Sequence, residues 1–334
     1  MKIAIIPRPS RIKKESHAYC KRHYHLVEGL LKLGHEVKIF ARDDSELPKG
    51  TKVIKWSLPR KTDYPSQIEY MSRAIKESQD CDIINCQSDH LALTFDKWSK
   101  VPIVHTIIYG RLPQYIEEYL ETNKKSNFST ISKFLQKRYD FIKFKGMIYN
   151  GLNLEDFPLS ENKKDFFLYL SRISPDKQTH LLISWAKKYD FKLILAGDIN
   201  DQEYFKKEIK PNLSRKIRYI GKLDFEKVKY LQEAKATFML DDQEGFGNST
   251  IESLACGTPV IGFNNGAFTE IITNKKDGYI LKSTRDVKNA LKTVETINPL
   301  DCRKKVEDKF TVEKMVKEYE KLYKKIIQQN NRRG

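Results

Sequence analysis

Long hydrophobic runs are missing from this chain of 334 residues. The longest, such as Lys192–Gly197 and Ala236–Leu240, fall far short of the ~20 apolar residues that a membrane-crossing helix needs. Cysteine is scarce: five residues (Cys20, Cys81, Cys86, Cys256, Cys302), an odd number with no CxxC pair. That pattern supports neither a disulfide framework nor metal-ligand spacing, and it reads as reduced thiols in a cytoplasm. The opening MKIAIIPRPS holds one Lys and a four-residue apolar run before Pro and charge, which reads as a first β-strand rather than a signal peptide. Glycine is absent from Pro7–Cys20, the stretch that follows that strand.

What is present suits an ordinary soluble protein. Hydrophobic residues make up 40% and charged residues 31%, which argues against disorder. At roughly 150 residues per domain, the length suggests two domains. The net charge is +17, a balance that can attract phosphorylated substrates, anionic lipid or nucleic acid. Residues 1–155 carry 27 basic against 18 acidic residues, and the remainder 34 against 26, so neither half holds a dedicated basic tail. An evenly Lys-rich surface is the simpler reading, and no nucleic-acid-binding module accompanies the charge.

Short apolar runs alternate with amphipathic segments. In the first half, strands are expected at Lys2–Ile6, Glu36–Ala41, Lys52–Trp56, Asp82–Cys86, Val101–His105, Asn127–Ile131 and Met147–Tyr149. The clearest helix runs from His17 to Leu33, with Gly34 as its stop. In the second half, strands are expected at Phe166–Leu170, Lys192–Ala196, Ile217–Ile220, Thr237–Leu240 and Pro259–Phe263. Helices are expected at Thr179–Tyr189, Gln202–Lys210, Phe225–Ala234 and Ser249–Cys256. Such alternation predicts an α/β fold with two Rossmann-like, doubly wound domains. The boundaries read as 1–152, 153–311 with Asn153–Asp165 as linker, and a C-terminal helix in 312–334 packing back on the first domain. Ligands of such sheets bind beyond the carboxyl ends of the strands, and the cleft between two such domains is the natural site.

The segment Glu244–Ile272 carries the most chemistry. Glu244 follows the strand ending at Leu240, and Gly245 and Gly247 let the backbone turn tightly beside a ligand. Asn248 suits a helix N-cap, and a helix start near Ser249 can receive phosphate. Glu252 lies inside this apolar helix, so its carboxylate needs partners: ribose hydroxyls, or a structural salt bridge. A second segment, Ser171–Leu182, places Arg172 and Lys177 around a turn before a helix. Two cations there can hold a diphosphate and offset charge that grows on it as a bond breaks, or they are solvated surface charges. His105 closes the Val101–Val104 run, where a histidine would face the cleft or make a structural hydrogen bond.

Glu244 and Glu252, separated by seven intervening residues, sit in a Gly-Phe-Gly turn and a helix ending Ala-Cys-Gly-Thr-Pro-Val-Ile, followed by Asn265-Gly266 and Glu270. This arrangement resembles the donor motif of glycosyltransferase family 4. The resemblance implies the two-domain GT-B architecture and a retaining, metal-independent reaction. It implies that Glu244 contacts the donor sugar, that the amides of Gly245, Phe246 and Gly247, with Asn248 and Ser249, line the donor site, and that Glu252 binds the ribose. It implies an Arg and a Lys at Arg172 and Lys177, a His near the donor sugar at His105, and base contacts near Lys222 and Leu223. Two departures stand out. Gln178 follows Lys177 where the family often has Gly, and the first loop lacks the family's glycines, offering Arg8, Ser10, Arg11, Lys13 and Lys14 instead.

The expected function is transfer of a sugar from a nucleotide-diphosphate sugar, UDP-sugar before GDP-sugar, to a glycan, lipid-linked or small-molecule acceptor. No cofactor is expected, since the nucleotide sugar is a substrate. Asp241-Asp242 is not read as a metal site, because no third carboxylate is placed beside the pair. Peripheral contact with the inner membrane face is a further expectation, tied to lipid-linked acceptors. The rival enzymes are a sugar phosphorylase and a nucleotide-sugar epimerase of the same architecture. A basic nucleic-acid-binding protein is the rival from another class.

Overall fold

A computed structural model describes residues 1–14, 18–56, 63–87, 90–241 and 243–332. His17 and Asp242, both singled out above, lie outside the described residues, as does part of the glycine-free loop. The chain divides into two compact units: Met1–Gly151 with Val312–Gly334, and Leu152–Thr311.

The first unit holds strands β1 (Lys2–Ile6), β2 (Glu36–Arg42), β3 (Lys52–Trp56), β4 (Ile83–Gln87), β5 (Ile103–Ile107), β6 (Asn127–Thr130) and β7 (Gly146–Met147). The second holds β8 (Phe167–Leu170), β9 (Leu193–Ala196), β10 (Ile217–Tyr219), β11 (Ala236–Met239), β12 (Val260–Phe263) and β13 (Gly278–Leu281). In chain order the helices are α1 (Ala18–Lys32), α2 (Tyr64–Lys76), α3 (Gln114–Thr122), α4 (Lys133–Arg138), α5 (Thr179–Lys188), α6 (Gln202–Tyr204), α7 (Lys227–Glu233), α8 (Asn248–Ala255), α9 (Phe268–Ile271), α10 (Val287–Val294), α11 (Pro299–Lys309) and α12 (Val312–Asn331).

Both sheets are parallel throughout the described pairs, ordered β3-β2-β1-β4-β5-β6-β7 and β10-β9-β8-β11-β12-β13. Each order reverses direction once, at β1/β4 and at β8/β11. These switch points leave a crevice at the carboxyl edge, the usual ligand position in such folds. Parallel strands are covered on both faces, which explains their uninterrupted apolar runs. The second unit has a sixth strand, β13, that the sequence reading lacks; its four residues follow a turn and pair with β12 at the edge of the sheet.

Local chemistry sets the element ends. Asp63 caps α2 by accepting the Ser66 amide at 2.8 Å, with Pro65 in the first turn. α1 stops at Gly34, whose φ of +79° is left-handed, and the His35 and Gly34 amides return to the carbonyls of Leu30 and Leu31. The expected helix over Gln202–Lys210 departs from regularity: α6 is one turn, followed by a wide π-turn at Phe205–Ile209 and a tight turn at Lys210–Asn212. Pro211 has no amide to donate and forces that ending.

α12 belongs to the first unit and packs on α1. Met315, Val316, Tyr319, Leu322, Tyr323 and Ile326 are all buried, against Leu26, Val27 and Leu30 of α1. Gly29 makes the approach possible, since a Cβ there would lie 2.4 Å from Val316 Cγ2. Asn85 Nδ2 donates to Tyr323 Oη at 2.5 Å, tying the helix to β4.

Candidate active site

The second unit's switch point gathers Lys177 and Glu244, two of the residues that the sequence singles out. β8 ends at Leu170, and the following loop is pinned by Ser171 N–H to Ala196 O at 3.0 Å and Ile173 N–H to Asp198 O at 2.8 Å. Gly197 permits this, for a Cβ there would sit 1.9 Å from the Ser171 carbonyl oxygen. The turn Pro175–Lys177 then aims Lys177 inward. Tyr169 Oη donates to the Lys177 carbonyl, and Gln178 Nε2 donates to Leu240 O at 3.1 Å. Gln178 itself adopts φ +54°, the left-handed conformation that glycine takes most easily.

Lys177 is not a solvated surface charge. Its Nζ pairs with the Asp241 carboxylate and lies 3.8 Å from Glu244 Oε2. Asp241 also accepts the Gln243 amide at 2.9 Å, so its oxygens are already engaged within the loop. Glu244 is 32% exposed at its side chain. Burial raises its carboxyl above the ordinary carboxylate range; Lys177 opposes the rise, Asp241 adds to it, and the amides of Phe246 and Gly247 oppose it by donating to the carboxylate. From the other side, the Glu244 carbonyl accepts the Ala267 amide at 3.2 Å. Gly266, at φ +56°, lets that chain pass: a Cβ there would meet the Glu244 carbonyl oxygen at 2.7 Å.

The glycine turn is anchored by Phe246, which is buried edge-on against Phe310 with 5.7 Å between ring centroids. Its side chain is therefore core, and only its amide serves the loop. α8 begins at Asn248, and its cap position falls on Gly247 at φ +99° with no side-chain cap. The expectation that Asn248 caps this helix is corrected: the left-handed Gly247 occupies the cap, which moves Asn248 and Ser249 into the first turn. A helix start with no side-chain cap can be met from outside by an anion.

Glu252 is 5% exposed, and both of its oxygens lie 2.8 Å from Lys227 Nζ of α7. The salt-bridge alternative thus describes its state here, and a ribose would share or displace Lys227. Arg172 is not gathered into the cluster: its side chain is 54% exposed, with Asp176 at 3.7 Å. Lys222 and Leu223 follow β10 and the left-handed Gly221, and Lys222 pairs loosely with Asp198 at 3.3 Å.

In the first unit, His105 does not end its strand. β5 starts at Ile103, because Pro102 has no amide to donate, and runs on to Ile107, so His105 is its middle residue. The ring is 4% exposed and packs at 5.7 Å from the Phe128 ring, and Nε2 lies 2.7 Å from Asp96 Oδ1. Its Nδ1 is buried without a partner. In the glycine-free loop, Arg11 and Lys13 reach Asp44 and Glu46, at 3.6 to 3.9 Å. Arg8 instead lies over the Tyr109 ring, 4.9 Å from its centroid.

Sequence reasoning missed Lys227, Asp241 as the partner of Lys177, and Gly266 as the support of Glu244. The invariable companion of a buried carboxylate is a donor, so Glu252 signalled that some cation was needed. Nothing in the spacing marked Lys227 as that cation.

Two parallel, doubly wound units with switch-point clusters define a GT-B type α/β protein. Comparison with known proteins narrows the class. Residues 22–155 match the model described as Glycosyltransferase Family 4, and residues 153–308 match Glycosyl transferases group 1. The chain belongs to the family 4 glycosyltransferases, which are transferase enzymes. An uncharacterised glycosyltransferase of Methanocaldococcus jannaschii is 29% identical over 67% of this chain and 65% of its own length. Across the first four relatives, the matched stretches span 65%, 49%, 33% and 60% of their lengths, about half on the whole. Sucrose-phosphate synthase of Thermosynechococcus elongatus superposes with a TM-score of 0.79 at 16% identity, over 98% of this chain and 99% of that one. HepE of Anabaena, solved in complex with UDP-glucose, gives 0.72 at 14% identity, over 98% and 99%. Among the described residues, no helix is long and apolar enough to cross a membrane.

Proposed function

We propose that this protein transfers a sugar, with retention and without a metal, from a nucleotide-diphosphate sugar to a glycan, lipid-linked or small-molecule acceptor. The observation that carries this reading is the switch-point cluster of Lys177, Asp241 and Glu244, with Glu252 buried in the adjoining helix. The donor lies along the carboxyl edge of the second sheet. Lys177, buried and held by two carboxylates, supplies fixed positive charge, and Arg172 is free to swing onto a diphosphate. Together they neutralise the leaving group, the task a metal performs elsewhere. Gly247 and the first turn of α8 add amide donors. Glu244 orients the sugar hydroxyls, Glu252 takes the ribose in place of Lys227, and Lys222 and Leu223 flank the base. In the first unit, His105 is read as a hydrogen-bond partner for a sugar hydroxyl.

Retention follows if the acceptor attacks from the leaving-group face, with a departing phosphate oxygen as base. UDP is the favoured nucleotide, in line with the UDP-glucose complex of HepE. A cytoplasmic location fits the buried cysteines, reduced among the described residues. The test is a thermal-shift panel of UDP-, GDP-, ADP- and dTDP-sugars, followed by UDP-release assays with and without EDTA. Glu244→Gln and Arg172→Ala are expected to lower turnover at least about a hundredfold, the size seen when one transition-state donor is lost. Wild-type turnover in both variants would overturn the site; loss of activity in EDTA would overturn the metal-free reading.

A further inference from the structure

Lys177 has its counter-ion before any donor arrives. Its Nζ is bonded to one oxygen of Asp241, and the other oxygen accepts the Gln243 amide at 2.9 Å. Glu244 Oε2 stands 3.8 Å from the same Nζ. Among the described residues, one ammonium thus faces two carboxylates, and the trio is net negative when both are ionised. The Lys177 and Asp241 side chains are each 10% exposed, so solvent screens them poorly.

A nucleotide-diphosphate sugar would bring two more negative charges to this place. Arg172 can offset one of them by leaving Asp176, and the start of α8 offers about half a charge. Together with Lys177 these cations fall short of two carboxylates and two phosphate charges. Like charges crowded into a poorly hydrated site force a proton onto one of them. Glu244 is the carboxyl prepared for it: burial raises it and Asp241 adds to the rise, while Lys177 opposes. A diphosphate that draws Lys177 toward itself removes that opposition. The neighbouring groups offer no other relief. Glu252 of α8 is paired with Lys227, and α9 brings a further carboxylate, Glu270. The Tyr169 phenol, pushed up by burial, donates to the Lys177 carbonyl.

We propose that Asp241 is a positioning residue that sets donor affinity: it holds Lys177 in the free protein, yields it to the diphosphate, and so couples donor binding to the uptake of one proton by the Asp241–Glu244 pair. The proton comes from solvent and returns to it when the nucleotide leaves. The inference rests on the proposed transferase reading and adds a residue and a linked proton to it. Donor binding is then weakened by rising pH, and by the charge of Asp241 itself.

The probes are UDP-glucose and GDP-mannose, titrated into the full chain by calorimetry. Their diphosphate diesters keep both charges across the range, whereas the terminal phosphate of free UDP titrates near about pH 6. One linked proton changes affinity by at most about tenfold per pH unit, so the native protein should bind at least about tenfold more weakly at about pH 8 than at about pH 6. Buffers of different ionisation enthalpy should reveal proton uptake on binding. Asp241→Asn keeps the oxygen that accepts the Gln243 amide and removes the charge. At about pH 8 it should bind the same probe roughly tenfold tighter than the native protein, with affinity flat across the range. In nucleotide-release kinetics its KM should fall by more than its kcat. Native or weaker affinity in Asp241→Asn overturns the inference. So does native binding without proton uptake, a measurement that needs no variant to fold. In both of those cases a probe binds, so the donor reading stands and this inference alone fails. If neither probe binds either protein, the donor reading fails and takes the inference with it.

Discussion

Replacing Lys177 with Met removes the cation that two carboxylates share. The Lys177 and Asp241 side chains are each 10% exposed, so water does little to compensate. Breaking a buried ion pair from one side costs about 3–5 kcal/mol, because the remaining charge stays buried. Glu244 would then face Asp241 without Lys177, and its carboxyl would rise further. Burial already raises Glu244 in the native protein, with Lys177 holding it back. The sign of the pH dependence follows. A carboxyl raised in the folded state stabilises fully below its unfolded pKa and loses that contribution as pH rises through the folded value. The deficit of Lys177→Met should therefore be largest near about pH 7.5 and shrink toward about pH 5, by ~1.4 kcal/mol for each pKa unit gained. Trp185 is buried in the second unit, so urea unfolding in a Trp56→Phe, Trp98→Phe background reports that unit by fluorescence. Adding Asp241→Asn should recover more than half of the loss, since removing both partners of a buried pair is nearly neutral. A deficit under about 1 kcal/mol, or one independent of pH, would refute the claim that this cluster is a buried, shared charge.

Two further substitutions probe the supports of the site. Gly266→Ala forces a side chain into φ +56° and to within 2.7 Å of the Glu244 carbonyl; about 1–2 kcal/mol of stability should be lost, with turnover falling far more than UDP affinity in steady-state kinetics. Lys227→Met leaves Glu252 buried and unpaired, so the free protein should lose about 3 kcal/mol in urea melts. If Glu252 binds ribose, UDP should restore much of that loss, and an equal UDP shift in both proteins would count against the ribose role.

The regular part of the fold was open to sequence reasoning because parallel strands are nearly continuous apolar runs. Lys2–Ile6 and Lys52–Trp56 match β1 and β3 end to end. β5 slipped by two residues because Pro102 lies inside the apolar run while polar Thr106 extends the strand, burying His105 in its middle. β13 escaped because four residues beside a turn carry little periodicity. The places of Glu244, Glu252 and Lys177 beside the second sheet's carboxyl edge were legible from the motif. Lys227, Asp241 and Gly266 were not, because their roles exist only once distant loops meet. Gln178 marks the opposite lesson: its left-handed backbone keeps the shape of a glycine turn without the glycine, held by a bond to Leu240.

The chain leaves the first unit at Gly151 and returns to it at Val312, after the whole second unit has been laid down. Leu152 and Thr311 run alongside each other as it does so, closing the excursion. During synthesis the second unit is thus available as one continuous stretch, whereas the first waits for its last helix. Until α12 emerges from the ribosome, the notch at Gly29 and the apolar face of α1 stand open to water. The nascent N-terminal half is then the part with most reason to recruit a chaperone, although it is made first. A stop codon at Val312 would leave that half unfinished while sparing the second unit.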